Sequence, residues 1–392
     1  MDILNEAKSF ETELVEIRRY LHAHAGVGFN TEDAVSFVMQ KLEHLGLEPK
    51  KCGRGGVTCE IGTSGRCVLI RADMDALNIR EESGEEFASE NGNMHACGHD
   101  MHTAMLLGAA KILKAHENEL HGRVRLMFQS AEETLEGARD MIDSGILENP
   151  RPDAAMMIHV MVNTPFEAGT VIVAPPGVSA PCADMFKITV NGRASHGSMP
   201  EAGIDPIIIS AHIISALDII RTREVASAAR AVLTIGSINA GKTANAIPSS
   251  SIILGNMRVY SDKAREYMKT RIAEIAEGVA SSLGASAKVE FTGGCPTLTN
   301  EPELCNKAYG YVKALLGDKL AMSAENMKSS SSGSEDFAYI SHEIPSVMLA
   351  LAAGSSSEGY TRSLHHEKVR FDEKALPVGA AVYAYTAIRL LG

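Results

Sequence analysis

Three short apolar runs in this chain each finish on side chains that carry chemistry. "RCVLIRADMDAL" ends in Asp73 and Asp75, "GRVRLMFQSAEE" ends in Glu132 and Glu133, and "DAAMMIHV" carries His159 near its end. Each run has the length of a buried strand, and Val124, Leu126 and Phe128 alternate in the second. Helical patterns separate the runs, and strands alternating with helices predict an α/β domain with a mostly parallel sheet. No other feature narrows the fold as far, because such sheets bind ligands beyond the carboxyl ends of their strands. Asp73, Glu132, Glu133 and His159 all fall there.

The rest of the chain fits around that sheet. Residues 7–21 and 31–46 carry apolar residues at three- and four-residue spacing and predict two amphipathic helices. The character changes near residue 181. "ADMFKITVNG" reads as a strand, "DPIIISAHIISALDIIRTRE" as a helix, and "ARAVLTIGSINAG" and "SSSIILGNMRVYS" as two strands. "DKAREYMKTRIAEIAEGVASSLG" reads as a helix and "ASAKVEFTGG" as a last strand. The order β-α-β-β-α-β is the ferredoxin-like arrangement. With 392 residues the chain exceeds what one core holds, so two domains are expected. Residues 184–296 form the inserted α+β domain, and 1–183 with 297–392 form the α/β domain around it.

Composition excludes some partners. The net charge of −12 argues against nucleic acid, which needs a basic face. The stretch "MDILNEAKSFETELVEIRRYL" reads as neither a signal peptide nor a membrane span. Seven cysteines, an odd and scattered set, do not make a disulfide framework. Free thiols suit a reducing cytoplasm.

The stretch "NMHACGHDMHTAMLL" places His95, Cys97, His99 and His102 within eight residues and then turns apolar. It reads as a metal site, as a cysteine nucleophile with its base, or as a helix start capped by Asp100. Cys97 and His99 are soft ligands two residues apart, but Cys and His are often merely packed. Glu132 and Glu133 shift the balance, because one adjacent acid can bind a metal while the other serves as general base. His159 alone reads more readily as a core histidine, and His365-His366 as a surface pair. Together these side chains supply donors for one or two divalent metals. In the insert, His196 lies in a Gly-rich turn, and Arg258 is either a carboxylate clamp or a surface arginine. Asn245 lies in the same domain.

At this point the sequence resembles the metal-dependent amidohydrolases of the aminoacylase and carboxypeptidase superfamily. The similar branch holds hippurate hydrolase, the auxin-conjugate hydrolases and N-acetyl-diaminopimelate deacetylase. The motifs "RRYLHAHAGVGFNTE", "LIRADMDAL", "MHACGHDMHTAMLLGAA", "FQSAEE", "IHV", "ASHGSMPEAGIDP", "NAIP", "GSEDFAYI" and "LHHEKVRFDEKALPVGAA" carry the resemblance over nearly the whole chain.

The resemblance implies a metallopeptidase-like catalytic domain and an inserted dimerisation or lid domain. It implies metal ligands at Cys97, His99, Glu133, His159 and His365, with Cys97 bridging two divalent metals, and His95 and His102 flanking. Manganese or zinc are expected, and nickel or cobalt also suit the donors. Glu132 matches the general base. Asp73 matches an acid that elsewhere orients a histidine ligand, and that histidine's position here is Arg71. His196 matches a histidine that reaches the partner subunit's site, and Asn245 and Arg258 match residues that hold the substrate's carboxylate. Ala25-Gly26 and Asn78 depart from the usual Pro-Glu and "LPI". The implied activity is amide hydrolysis of N-acyl-L-amino acids in a homodimer, by a metal-activated water. Dipeptide cleavage is the alternative within the same chemistry, and a non-catalytic ligand-binding homologue the alternative outside it.

Overall fold

The computed structural model describes residues 2–324 and 333–392. Among these, 2–179, 299–324 and 336–392 form one compact unit, and 180–298 with 333–335 form another.

The first unit is built on an eight-stranded sheet. Its strand order is Lys50–Cys52, Gly56–Gly62, Gly122–Gln129, Arg66–Asp73, Ala154–Met161, Ser346–Ala352, Val171–Val173, Ala321–Ser323. The four strands from Gly122–Gln129 to Ser346–Ala352 run parallel to one another. Antiparallel pairs flank them on both sides. Every residue from Cys67 to Asp73 is buried, which is why this run reads as continuously apolar rather than alternating: helices cover both faces of a parallel sheet. The helices His99–Ala115 and Ala375–Leu391 are buried along most of their length and pack against each other and the sheet.

The N-terminal helical patterns are placed with shifted ends. The pattern over 7–21 is two helices, Ile3–Ser9 and Glu11–Ala23, parted at Phe10, where φ is −122°. The second pattern forms Glu32–His44 and stops short of residue 46. Gly46 takes a left-handed φ of 72°, its N–H donates to Glu43 O at 2.8 Å, and Leu47 N donates to Leu42 O at 3.1 Å. That pair of bonds is the Schellman closure, which glycine forms without a Cβ penalty.

The second unit is a four-stranded antiparallel sheet in the order Val232–Ala240, Ser250–Val259, Cys182–Asn191, Ser286–Cys295. With helices Pro206–Ile219 and Asp262–Ser282 it follows the β-α-β-β-α-β order. Phe186, Ile188, Val190, Ile253 and Met257 form a core with Ile209, Ile213, Leu217, Met268 and Ile272 of the two helices. Met185, Ile252 and Leu254 alternate with them and are exposed, as a strand period of two requires when helices cover one face only. Among the described residues no helix is long and apolar enough to cross a membrane. None of the seven cysteines, all described, is in a disulfide.

Candidate metal centre

The centre begins where a loop becomes a helix. Gly98 is the N-cap of His99–Ala115 and has φ of 88°. A Cβ there would lie 2.3 Å from Val160 Cγ2, so both the left-handed turn and the close approach demand glycine. The turn brings Cys97 and His99 to the carboxyl ends of the parallel strands. Asp100 does not cap this helix. Its Oδ2 instead accepts from Arg18 Nε at 2.7 Å and from His22 Nδ1 at 2.8 Å, because buried cations from the Glu11–Ala23 helix compete successfully for a buried carboxylate.

Cys97 sits among the other candidates. Its Sγ lies 3.5 Å from His159 Nε2 and 3.3 Å from His365 Nε2, and His365 Nε2 lies 3.4 Å from Glu133 Oε1. Two groups form around the thiol, Cys97–His99–His159 and Cys97–Glu133–His365, with donor atoms within 4.8 Å of one another in each. Backbone carbonyls orient the rings. His99 Nδ1 donates to Asp75 O at 2.8 Å and His159 Nδ1 donates to Val160 O at 2.7 Å. A carbonyl accepts only, so Nδ1 of each ring carries a proton, and each ring in its neutral form turns an Nε2 lone pair to the cluster.

His99 Nε2 and Glu133 Oε1 are buried with no hydrogen-bond partner. Orphaned buried polar atoms are rare and call for a partner. Here they converge with a thiol and imidazoles, a donor set that suits divalent transition metals. The residues therefore fit two divalent metals, with Cys97 common to both groups.

The electrostatics follow from burial. Burial pushes the Cys97 thiol up, raises the Glu133 carboxyl and brings the His159 ring down to about 3. Burial is the largest influence on His99 and would lower it, but the Asp73 carboxylate, Cys97 and the bond to Asp75 together move it up. Burial is the largest influence on Asp73 and would raise it, but Arg71, His99 and His102 together move it well down.

Glu132 and Glu133 lie beyond the strand, which ends at Gln129. Ala131, with φ of 61°, turns the chain, and Asp75 then holds both acids in place. Its Oδ1 accepts from Glu132 N at 3.0 Å and its Oδ2 from Glu133 N at 3.2 Å. Glu132 is 6% exposed, with Oε2 3.9 Å from His99 Nε2. Asp75 is absent from the sequence-based candidate set, although its place two residues after Asp73 at an apolar strand end was the available signal.

Asp73 is engaged on both oxygens, by Arg71 Nη1 at 2.6 Å and His102 Nδ1 at 2.5 Å. Arg71 also reaches Gln129 at 3.0 Å and Asp336 at 3.0 Å. His102 Nε2 accepts from Val160 N at 2.8 Å, so His102 has no nitrogen left for a metal. His95 is buried, its Nδ1 without a partner.

The remaining candidates belong to the second unit. His196 is exposed, pairs with Ala246 across a two-stranded ladder, and is followed by Gly197, whose N–H donates to Asn245 O at 2.8 Å. The ladder thus brings His196 and Asn245 together. Arg258 is half-buried on the Ser250–Val259 strand and donates from Nη1 to Ser334 Oγ at 2.9 Å.

Comparison with known proteins gives the family. The chain is 33% identical over 392 residues to N-acetylcysteine deacetylase of Bacillus subtilis (strain 168), covering 98% of each. It is 33% identical to IAA-amino acid hydrolase ILR1-like 2 of Arabidopsis thaliana, covering 99% of this chain and 88% of that protein. Among solved structures, the Bacillus subtilis YXEP protein, described as a dinuclear metal binding peptidase from the M20 family, superposes with a TM-score of 0.79. Identity to it is 32%, over 98% of this chain and 99% of that one. Residues 69–389 match peptidase family M20/M25/M40, and the chain belongs to that family as a metal-dependent hydrolase of amide bonds.

Proposed function

We propose that this enzyme cleaves N-acyl-L-amino acids to a carboxylic acid and a free amino acid, with Glu132 as general base. The observation that carries this reading is the division of labour between adjacent acids. Glu133 joins Cys97 and His365, while Glu132 stands outside both groups around Cys97, approaches the centre through His99 and Glu133, and is held there by Asp75. Binding alone would not call for a buried acid so placed. Cys97, His99 and His159 would hold one metal and Cys97, Glu133 and His365 the other, as manganese or zinc, with nickel or cobalt also suited to the donors. Such metals, when bound, polarise an amide carbonyl and lower the pKa of an attacking water.

Glu132 then takes the proton from the attacking water and delivers one to the leaving amine. Asp73, locked by Arg71 and His102, keeps the ring of His99 in a negative field. Asn245 and Arg258 hold the substrate's carboxylate, Arg258 through its planar fork. The names of the deacetylase and the auxin-conjugate hydrolase support an acylated amino acid as substrate. Thiols outside disulfides suit a cytoplasmic enzyme.

A hydrolysis panel tests the reading: acetyl-, benzoyl- and indoleacetyl-amino acids beside free dipeptides, each with manganese, zinc, nickel and cobalt. Faster cleavage of acylated amino acids than of dipeptides is the expected result. Preference for dipeptides would make it a dipeptidase, and no cleavage by metal-loaded protein would favour the ligand-binding homologue.

The same reading includes a homodimer through the insert, with His196 contributing an oxyanion contact worth about 3–4 kcal/mol to the partner subunit's site. Subunit mixing tests it. Glu132→Gln and His196→Ala should each be nearly inactive as homodimers. Their heterodimer, purified on two tags, has one intact site and should recover about half the activity per dimer. No recovery in verified heterodimers would place His196 in its own chain's reaction or show that the two sites are coupled.

A further inference from the structure

The two central parallel strands, Arg66–Asp73 and Ala154–Met161, pair only as far as Arg71 and Met157. Beyond that rung they part, and His159 lies two residues further on. Side chains occupy the gap. The Tyr383 hydroxyl donates to Arg71 O at 2.8 Å and accepts from Ile158 N at 2.9 Å. One step on, His102 Nε2 accepts from Val160 N at 2.8 Å while its Nδ1 donates to Asp73 Oδ1. Thr103 Oγ1 donates to Asp73 O at 2.7 Å. Tyr383, His102 and Thr103 are all fully buried.

The Arg71 carbonyl and the Ile158 amide are thus joined through the Tyr383 hydroxyl, and the Val160 amide reaches the Asp73 carboxylate through the His102 ring, from a second helix. Tyr383 stands in a mostly apolar helix and is itself fully buried, where phenylalanine would pack as well and carry no hydroxyl into the core. The hydroxyl's evident use is to bridge the parted strands.

We propose that Tyr383 and His102 are positioning residues, a polar wedge that fixes how far the two strands separate and so sets His159 against Cys97 and His99. Neither touches the reacting atoms. The wedge acts through the strand that bears His159 and leaves the Cys97–Glu133–His365 group alone. This rests on the two-metal reading above.

The test is a zinc-binding isotherm by chelator competition on the full-length protein and on Tyr383→Phe. Removing such a supporting hydrogen bond typically weakens a metal site by 10–100-fold. The expected result is about a 10-fold loss at one of two binding steps, with the other unchanged. Val382→Ala, a buried neighbour on the same helix, controls for loosened packing and should leave both steps at wild-type affinity. His102→Gln approaches the same wedge from the metal side and should weaken the same single step, which keeps the test open if Tyr383→Phe does not fold. Wild-type affinity at both steps in Tyr383→Phe, or an equal loss at both steps, overturns the wedge. Wild-type protein that binds one zinc removes the two-metal reading instead, and the wedge is then decided by whether that one affinity falls in Tyr383→Phe and holds in Val382→Ala.

Discussion

Glu132→Gln is expected to keep its metal and to lose turnover by about 10²–10⁴-fold, the usual cost of removing a general base. Glutamine is nearly isosteric, and the backbone bond from residue 132 to Asp75 is untouched by the change. Cys97, His99, Glu133, His159 and His365 all remain. What disappears is a group that can accept a proton, so the loss belongs to the chemical step, roughly 3–5 kcal/mol of barrier. It should therefore appear in kcat, with metal content unchanged by elemental analysis. Near-normal turnover with full metal would take Glu132 out of the mechanism. Loss of metal along with activity would make Glu132 a ligand.

Much of the fold could be read because its signals are local. An apolar run that ends in acids announces a buried strand and its functional end at once, and the insert's alternation separates a covered from an open face. Helix ends were less legible. The Phe10 break and the stop at His44 depend on individual backbone angles that periodicity does not encode.

The acids show the limit most clearly. Asp73, Asp75 and Asp100 look alike in sequence, yet one pairs with Arg71 and His102, one clamps two amides, and one pairs with Arg18 and His22. Their partners lie up to 82 residues away, and only the folded chain decides which acid meets which cation. Assigning a helix cap to Asp100 followed a local rule that a distant arginine overrode. His159 was ambiguous for the same reason, since nothing beside it in sequence shows that Cys97 will face its Nε2. The tyrosine at 383 carried no signal at all, being one of two tyrosines in a mostly apolar helix.

Cys97→Ser is expected to lower metal content and activity together. Cys97 is the member common to both three-residue groups, so its loss weakens two sites where a change at His159 or His365 weakens one. A serine hydroxyl stays protonated at neutral pH and is a far poorer ligand than a thiolate. Losses at supporting residues alone reach 10–100-fold in affinity, so removal of the shared ligand should cost at least about 100-fold in activity at limiting metal. The experiment also separates metal chemistry from a cysteine nucleophile. Reactive cysteines are partly exposed and have lowered pKa values, whereas Cys97 is buried and burial pushes its thiol up. A metal cation beside the sulfur would reverse that and hold it as thiolate. If Cys97 were a nucleophile, the serine variant would lose activity with its metal content intact. Unchanged metal stoichiometry would therefore end the shared-ligand reading, and a parallel fall of metal and activity would leave the nucleophile with nothing to explain.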